Sequence, residues 1–136
     1  MKSQYEKKRL ITFDRIKIKS NYKYLLNTKV KFNEMFHSRS GEKIGIFYSS
    51  KDDINIPYNL YIAVSYIKQT LTLEFSSKIL KEKYPDLISR DTIKECLTNI
   101  NQLHICDIDV DSILSNGAIT SVDVTYDANL ILSDNL

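Results

Sequence analysis

The residues of this chain best placed to do chemistry are carboxylates in segments where apolar side chains fall at every second position. Glu74 lies in TLTLEF, and Asp123 and Asp127 lie in AITSVDVTYD. Successive side chains of a strand point to opposite faces, so each of these acids belongs to the polar side of its strand. Neighbouring strands can then offer two or three carboxylates to a hard cation such as magnesium or manganese. Asp123 and Asp127 are four residues apart, about 13 Å on an extended strand at about 3.3 Å per residue, too far to share one ion unless the strand bends. Glu74 with Asp123 is therefore the candidate metal pair. The competing reading is ion pairing of these acids with Lys17 or Lys19.

Other constellations carry less. Asp107, Asp109 and Asp111 in DIDVDS have the spacing of the first ligands of a calcium loop. The sixth position is Ser112 where a sharp turn needs glycine, and the twelfth is Ala118 where a bidentate glutamate is needed. An edge strand with a solvated acidic face fits better. His37 and His104 are isolated, and a zinc site or a histidine-activated nucleophile would need partners from distant segments. With three glycines in the whole chain there is no glycine-rich phosphate loop. Cys96 and Cys106 form no CxxC and no metal-ligand spacing, which predicts two reduced core thiols. No residue is assigned a catalytic role on its own pattern.

Basic residues are the second group with a chemical use. In ITFDRIKIK, Ile16 and Ile18 alternate with Arg15, Lys17 and Lys19, so one face is apolar and the other is a basic stripe. Lys7, Lys8 and Arg9 precede it. Ten Lys or Arg fall between Met1 and Lys31 against Glu6 and Asp14, whereas none follows Lys94, where seven carboxylates occur. Such asymmetry predicts either a polyanion-binding end and a metal-attracting end, or two ends that neutralise each other across adjoining strands. Tyr22, Tyr24, Tyr58, Tyr61 and Tyr66 lie in or near the basic half. Aromatic faces among Lys and Arg suit single-stranded nucleic acid, although tyrosine is also an ordinary strand residue.

The elements that must position these residues follow from the pattern. Residues 1–10 read as a flexible basic arm and 11–136 as one domain. After the basic strand comes a short aromatic segment, then a hairpin across HSRSGEK into IGIFYSS, a loop from Lys51 to Tyr58, and the strands LYIAVSYI and TLTLEF. SSKILKEKY predicts a short helix stopped by Pro85. From about Ser89 to Leu103, Ile93, Cys96, Leu97, Ile100 and Leu103 recur at three and four, predicting a helix capped by Ser89 with one buried face. ICDIDVDSIL reads as an acidic strand, Asn116-Gly117 as a turn, and AITSVDVTYD as a last strand with Ala118, Val122, Val124 and Tyr126 on one side and Ile119, Ser121, Asp123, Thr125 and Asp127 on the other. The fold class is α+β, a mostly antiparallel sheet with one main helix packed on one face.

At 136 residues and 43% apolar composition the chain can bury one core, and its net charge is only +2. No apolar run is long enough for a membrane span, and the start lacks the apolar centre of a signal peptide, so a cytoplasmic protein is expected.

Three stretches also resemble a known family. Asp14, Ile16, Lys17 and Ile18 match a "D-x-I-K-I" strand. Glu74, Phe75, Ser76 and Lys78 match a strand running into a Ser- and Lys-containing segment, and Val122 to Asp127 match a "D-V-T-x-D"-like strand. In this order they are similar to the amino-terminal region of phage and plasmid replication initiation proteins of the gene II/X type, over about Ile11 to Asp127. The resemblance implies rolling-circle replication of a mobile element, with nicking and joining of single-stranded DNA by a tyrosine aided by a divalent metal. Those initiators are longer and their nucleophile lies beyond the matched region. The expectation is therefore a DNA-binding domain, the N-terminal part of a longer initiator, that does not nick alone. Arg15, Lys17, Lys19, Lys7, Lys8 and Arg9 would meet phosphates. The alternative is a small noncatalytic domain whose charged ends dock to a protein.

Overall fold

A computed structural model describes residues 12–124 of the chain, with side chains through residue 119. Two strands organise it: β1 (Phe13–Asn21) and β6 (Thr70–Ser76). They pair antiparallel, with Ile16 opposite Phe75 and Ile18 opposite Leu73, so both apolar rows fall on one face. The remaining strands are β2 (Leu25–Thr28), β3 (Asn33–Phe36), β4 (Lys43–Ser49), β5 (Leu60–Ser65), β7 (Cys106–Ile108) and β8 (Ala118–Val124). Six form one sheet in the order β3-β4-β5-β6-β1-β8, antiparallel at every neighbour, and β2 pairs with β7 in a separate ribbon. The α+β class expected from the sequence is what forms.

The core sits on a single face of the large sheet. Ile16, Ile18, Leu60, Ile62, Val64, Leu71, Leu73 and Phe75 are buried against the helical segments. Helix α1 (Ile93–Gln102) supplies Ile93, Cys96, Leu97 and Ile100. Its buried Asn99 donates from Nδ2 to the Ile79 carbonyl at 2.9 Å, tying the helix to the preceding segment. Asn101 clamps β7 by accepting from Ile108 N at 2.7 Å and donating to the Ile108 carbonyl at 3.1 Å. Both cysteines are free and buried, and burial pushes both thiols up to about 12.

Several segments differ from the sequence expectation. Helix α1 starts at Ile93 because Ser89 to Thr92 make a separate turn. Ser89 Oγ accepts from Asp91 N at 3.1 Å, and the Thr92 hydroxyl accepts from Ser89 N while donating to the Leu87 carbonyl. Ser77 to Asp86 is a kinked 3-10 run, broken at Lys81 with φ 61°, and Pro85 lies inside it. The acidic strand expected through Leu114 ends at Ile108. Asp109 then caps a seven-residue helix, α2 (Val110–Asn116), accepting from Ser112 N at 3.2 Å and from Ser112 Oγ at 2.8 Å. Side-chain competition of this kind ends a strand that periodicity alone would extend. Asn116-Gly117 is accordingly the end of α2 and not a hairpin turn.

The last difference concerns β8. A register shift opposite Lys17 and Ile18 inserts one extra residue, so Ile119 pairs with Ile18 and is buried, while Ala118 stands opposite Lys19. Strict alternation puts Ile119 on the polar side and Ala118 on the apolar one, and the extra residue reverses both. Residues 1–10 and Asp127 lie outside the described residues, as do Lys7, Lys8 and Arg9. Among the described residues no helix is long and apolar enough to cross a membrane.

Candidate nucleic-acid interface

Because the helical segments cover the Ile16 face, the opposite face of the sheet carries whatever the polar rows supply. Register defines its contents. Arg15 stands between Ser76 on β6 and position 123 on β8, Lys17 between Glu74 and position 121, and Lys19 between Thr72 and Ala118. Across β5 and β4 the Lys17 row continues through Tyr61 to Ser49, and the Lys19 row through Ala63 to Phe47. Arg15 and Lys19 are exposed, and Lys17, Glu74, Tyr61 and Phe47 are half-buried. The basic stripe read from alternation is therefore real, and it lies on the face that the helices leave open.

The same face holds an aromatic pair. Phe47 and Tyr61 sit on neighbouring strands with ring centroids 6.0 Å apart and planes at 32°. Strands are about 4.8 Å apart, so Tyr61 lies about 10 Å from Lys17 and Phe47 about 14 Å from Lys19. Between rings and cations stand Glu74 in the row of Lys17 and Tyr61, and Ala63 and Thr72 in the row of Lys19 and Phe47. At the edge of this face Gly45 makes room for the Met35 side chain from β3, since a Cβ there would run into the Met35 methyl and the Val64 carbonyl oxygen. A ring pair beside a row of cations can stack bases and neutralise phosphates at once.

Of the tyrosines singled out from sequence, only Tyr61 is on this surface. Tyr22 and Tyr24 belong to a 3-10 turn and pack against the core, and Tyr66 is exposed on the β5–β6 link. Tyr58 is half-buried beside another cleft, where burial raises its hydroxyl above the ordinary range. Phe47 went unremarked in the sequence. Its signal was there: with Ile46 and Tyr48 turned to the core, Phe47 must share the other face with Gly45.

The candidate metal pair is divided by β1. Glu74 is directly across from Lys17, and position 123 is directly across from Arg15, two strands away from Glu74 and two residues along. Two cation-bearing positions thus stand between the carboxylate positions. Among the described residues no group of three His, Cys, Asp or Glu is gathered as a metal would require.

The three acids of DIDVDS have structural employment. Asp107 accepts from Asn27 Nδ2 at 2.9 Å and pairs with Lys29 at 3.3 Å, so this acid does neutralise a cation of the basic half. The Asn27 hydrogen bond, followed by Lys29, holds its carboxyl below the usual carboxylate value. Asp109 caps α2, and Asp111 lies 3.8 Å from Lys94. His37 Nδ1 accepts from Arg39 N and Ser40 N in the β3–β4 turn, and His104 is exposed after α1 with φ 61°.

Compared with family models, with curated proteins and with solved structures, the chain matches none.

Proposed function

We propose that this protein binds single-stranded nucleic acid across the helix-free face of its six-stranded sheet. The observation that carries the reading is the register: it sets Arg15, Lys17 and Lys19 on the same open surface as the Phe47–Tyr61 ring pair. Bases lie over Tyr61 and Phe47 while the sugar-phosphate backbone crosses towards β1. The division of labour follows from the chemistry, since stacking tolerates any base and cations meet phosphates regardless of sequence. A duplex keeps its base faces hidden and its phosphates on a convex surface, so it engages only the cations.

The likeness to the amino-terminal region of gene II/X-type initiators supports DNA over RNA as the strand, and a role in replication initiation of a mobile element. In that setting the domain holds the strand and the tyrosine that cuts it lies elsewhere. Binding as described needs no metal. The initiator resemblance implies a divalent metal for cleavage, but Glu74 and Asp123, read as its ligands from alternation, stand on either side of β1 and its cations. The basic residues Lys7, Lys8 and Arg9 extend the positive character of the strand that follows them in sequence.

The test is fluorescence anisotropy with a labelled oligothymidylate and with a matched duplex, at two salt concentrations. Salt-sensitive binding that favours the single strand, and that weakens in Phe47→Ala and Tyr61→Ala, is the expected result. Base stacking on one aromatic residue is worth about 1–3 kcal/mol, roughly five-fold to more than a hundred-fold in affinity. Equal binding of duplex and single strand, untouched by both substitutions, would sink the stacking role.

A further inference from the structure

Beyond the end of β6 the open face runs into a cleft of about 510 Å³, whose lining includes Ser50, Lys51, Tyr58, Asn59, Ser76 and Lys78. Ser76 belongs to both places, because on the sheet it stands directly across from Arg15. The polar groups of the lining are lopsided. Lys51 and Lys78 bring two ammonium groups and no carboxylate takes part. Asp53, close by in sequence, is turned away and occupied by the Tyr48 hydroxyl at 3.0 Å and by Asn55 N at 2.9 Å. Neither lysine side chain has an ion pair among the described residues.

Two further donors of the lining are unmatched. Asn59 Nδ2 and Ser76 Oγ are both buried atoms with no hydrogen-bond partner. Buried polar groups are almost always satisfied, and one left without a partner is a cost that the fold carries. The neighbouring polar groups are satisfied, which makes the contrast informative. Ser50 Oγ donates to the Tyr58 carbonyl at 2.7 Å and accepts from Leu60 N at 3.0 Å, and Ser76 N reaches the Asn59 carbonyl at 3.4 Å. These bonds hold the cleft wall in shape and leave the two donors over. For the Ser76 hydroxyl to meet a bound group it must turn about χ1 out of its buried position.

Two cations and two spare donors, with no carboxylate to balance them, describe a site for a compact anion with several acceptor oxygens. We propose that this cleft binds a phosphate group, held by Lys78 and Lys51 and hydrogen-bonded by Ser76 and Asn59. On the reading of the sheet as a single-strand surface, that phosphate belongs to the strand itself, beyond the nucleotides that lie on Arg15 and Lys17. Free phosphate would offer the cleft the same chemistry.

The two sources are separated by titrating the protein with inorganic phosphate and with oligothymidylate, following amide resonances against a sodium chloride control of equal ionic strength. Phosphate is expected to shift the Asn59 side-chain amide and the Ser76 backbone amide saturably, and Lys78→Gln to weaken this about tenfold, as loss of one charged hydrogen bond implies. Ser76→Ala removes an unpartnered hydroxyl, so it should weaken phosphate binding without lowering the melting temperature. Lys19→Ala should weaken the oligonucleotide and leave phosphate binding unchanged.

If phosphate moves neither amide while the oligonucleotide still binds through Lys19, the cleft proposal is overturned and the sheet reading stands. If phosphate binds through Lys78 and no oligonucleotide binds, the cleft stands as a free-phosphate site and the sheet reading falls. Phosphate shifts that match those of the chloride control, together with oligonucleotide binding indifferent to Lys78→Gln, would also refute the cleft.

Discussion

Replacing Lys19 by alanine isolates the electrostatic part of the proposed interface. Arg15 and Lys17 each have engagements within the protein, whereas Lys19 is exposed and has none among the described residues, so its removal leaves the fold alone. Exposed substitutions of this kind change stability by about 0.5 kcal/mol or less. For a single strand, each phosphate neutralised contributes roughly −0.7 to the slope of log affinity against log salt. Contacts by Arg15, Lys17 and Lys19 then give a slope near −2, or a loss of about 20-fold between 50 and 200 mM salt. Lys19→Ala should make that slope shallower by about 0.7, reducing the same loss to roughly seven-fold. The measurement is anisotropy of a labelled oligothymidylate at four or more salt concentrations, with Lys94→Ala as the comparison. Lys94 is exposed on α1, on the side of the sheet away from the stripe. If Lys94→Ala changes the slope as much as Lys19→Ala, attraction is spread over the whole molecule and the reasoning from the sheet face is refuted.

Other consequences concern the scaffold. Gly45→Ala drives a methyl group into the Val64 carbonyl and the Met35 methyl. Backbone cannot yield there without spoiling β4–β5 pairing, so a loss of about 1–3 kcal/mol in urea unfolding is expected; an unchanged midpoint would mean the strands are farther apart than described. Asp109→Ala removes the cap of α2 and should cost about 1 kcal/mol, with Asp109→Asn retaining most of it. Cys96 and Cys106, their thiols pushed up to about 12 by burial, should resist alkylation at pH 8 in the folded protein and react on unfolding; rapid labelling of the native state contradicts their placement. Asp107 is held below the ordinary carboxylate value of 3.8. Its contribution to stability is therefore present above that value and fades as pH falls through the lower folded one. Asn27→Ala removes the largest cause, so the Asp107 titration followed by carboxyl carbon NMR should move upward; an unmoved midpoint would place the cause elsewhere.

The differences between pattern and structure have specific causes. Alternation in β1 and β6 was legible because each strand has one buried and one open face, and burial is what writes period two into a sequence. Cys106, Ile108 and Val110 also alternate, yet Val110 begins a helix. Three apolar residues at spacing two are compatible with the start of α2 once Asp109 binds the amide of Ser112. The side assigned to Ile119 failed for a different reason. A bulge is a property of two paired strands, and nothing in AITSVDVTYD marks where its partner will force an extra residue.

What the amino-acid sequence determined by itself was local: the basic row on β1, the polar row of Glu74 on β6, the buried stripe of α1 and the isolation of both histidines. Each of these depends on periodicity within one segment, and periodicity is the mark of one face being dry. Which rows become neighbours was decided only by tertiary structure. Strand order places β4 and β5 beside β6, and β1 on its other side, and so gathers Phe47 and Tyr61 onto the surface of Arg15, Lys17 and Lys19. It also runs β1, with its cations, between Glu74 and position 123, and brings Asn59 and Lys78 together around Ser76. The partners of β1 lie tens of residues away in the chain, Glu74 and position 121 on either side of Lys17, so their chemistry is set by pairing register, which no single segment contains.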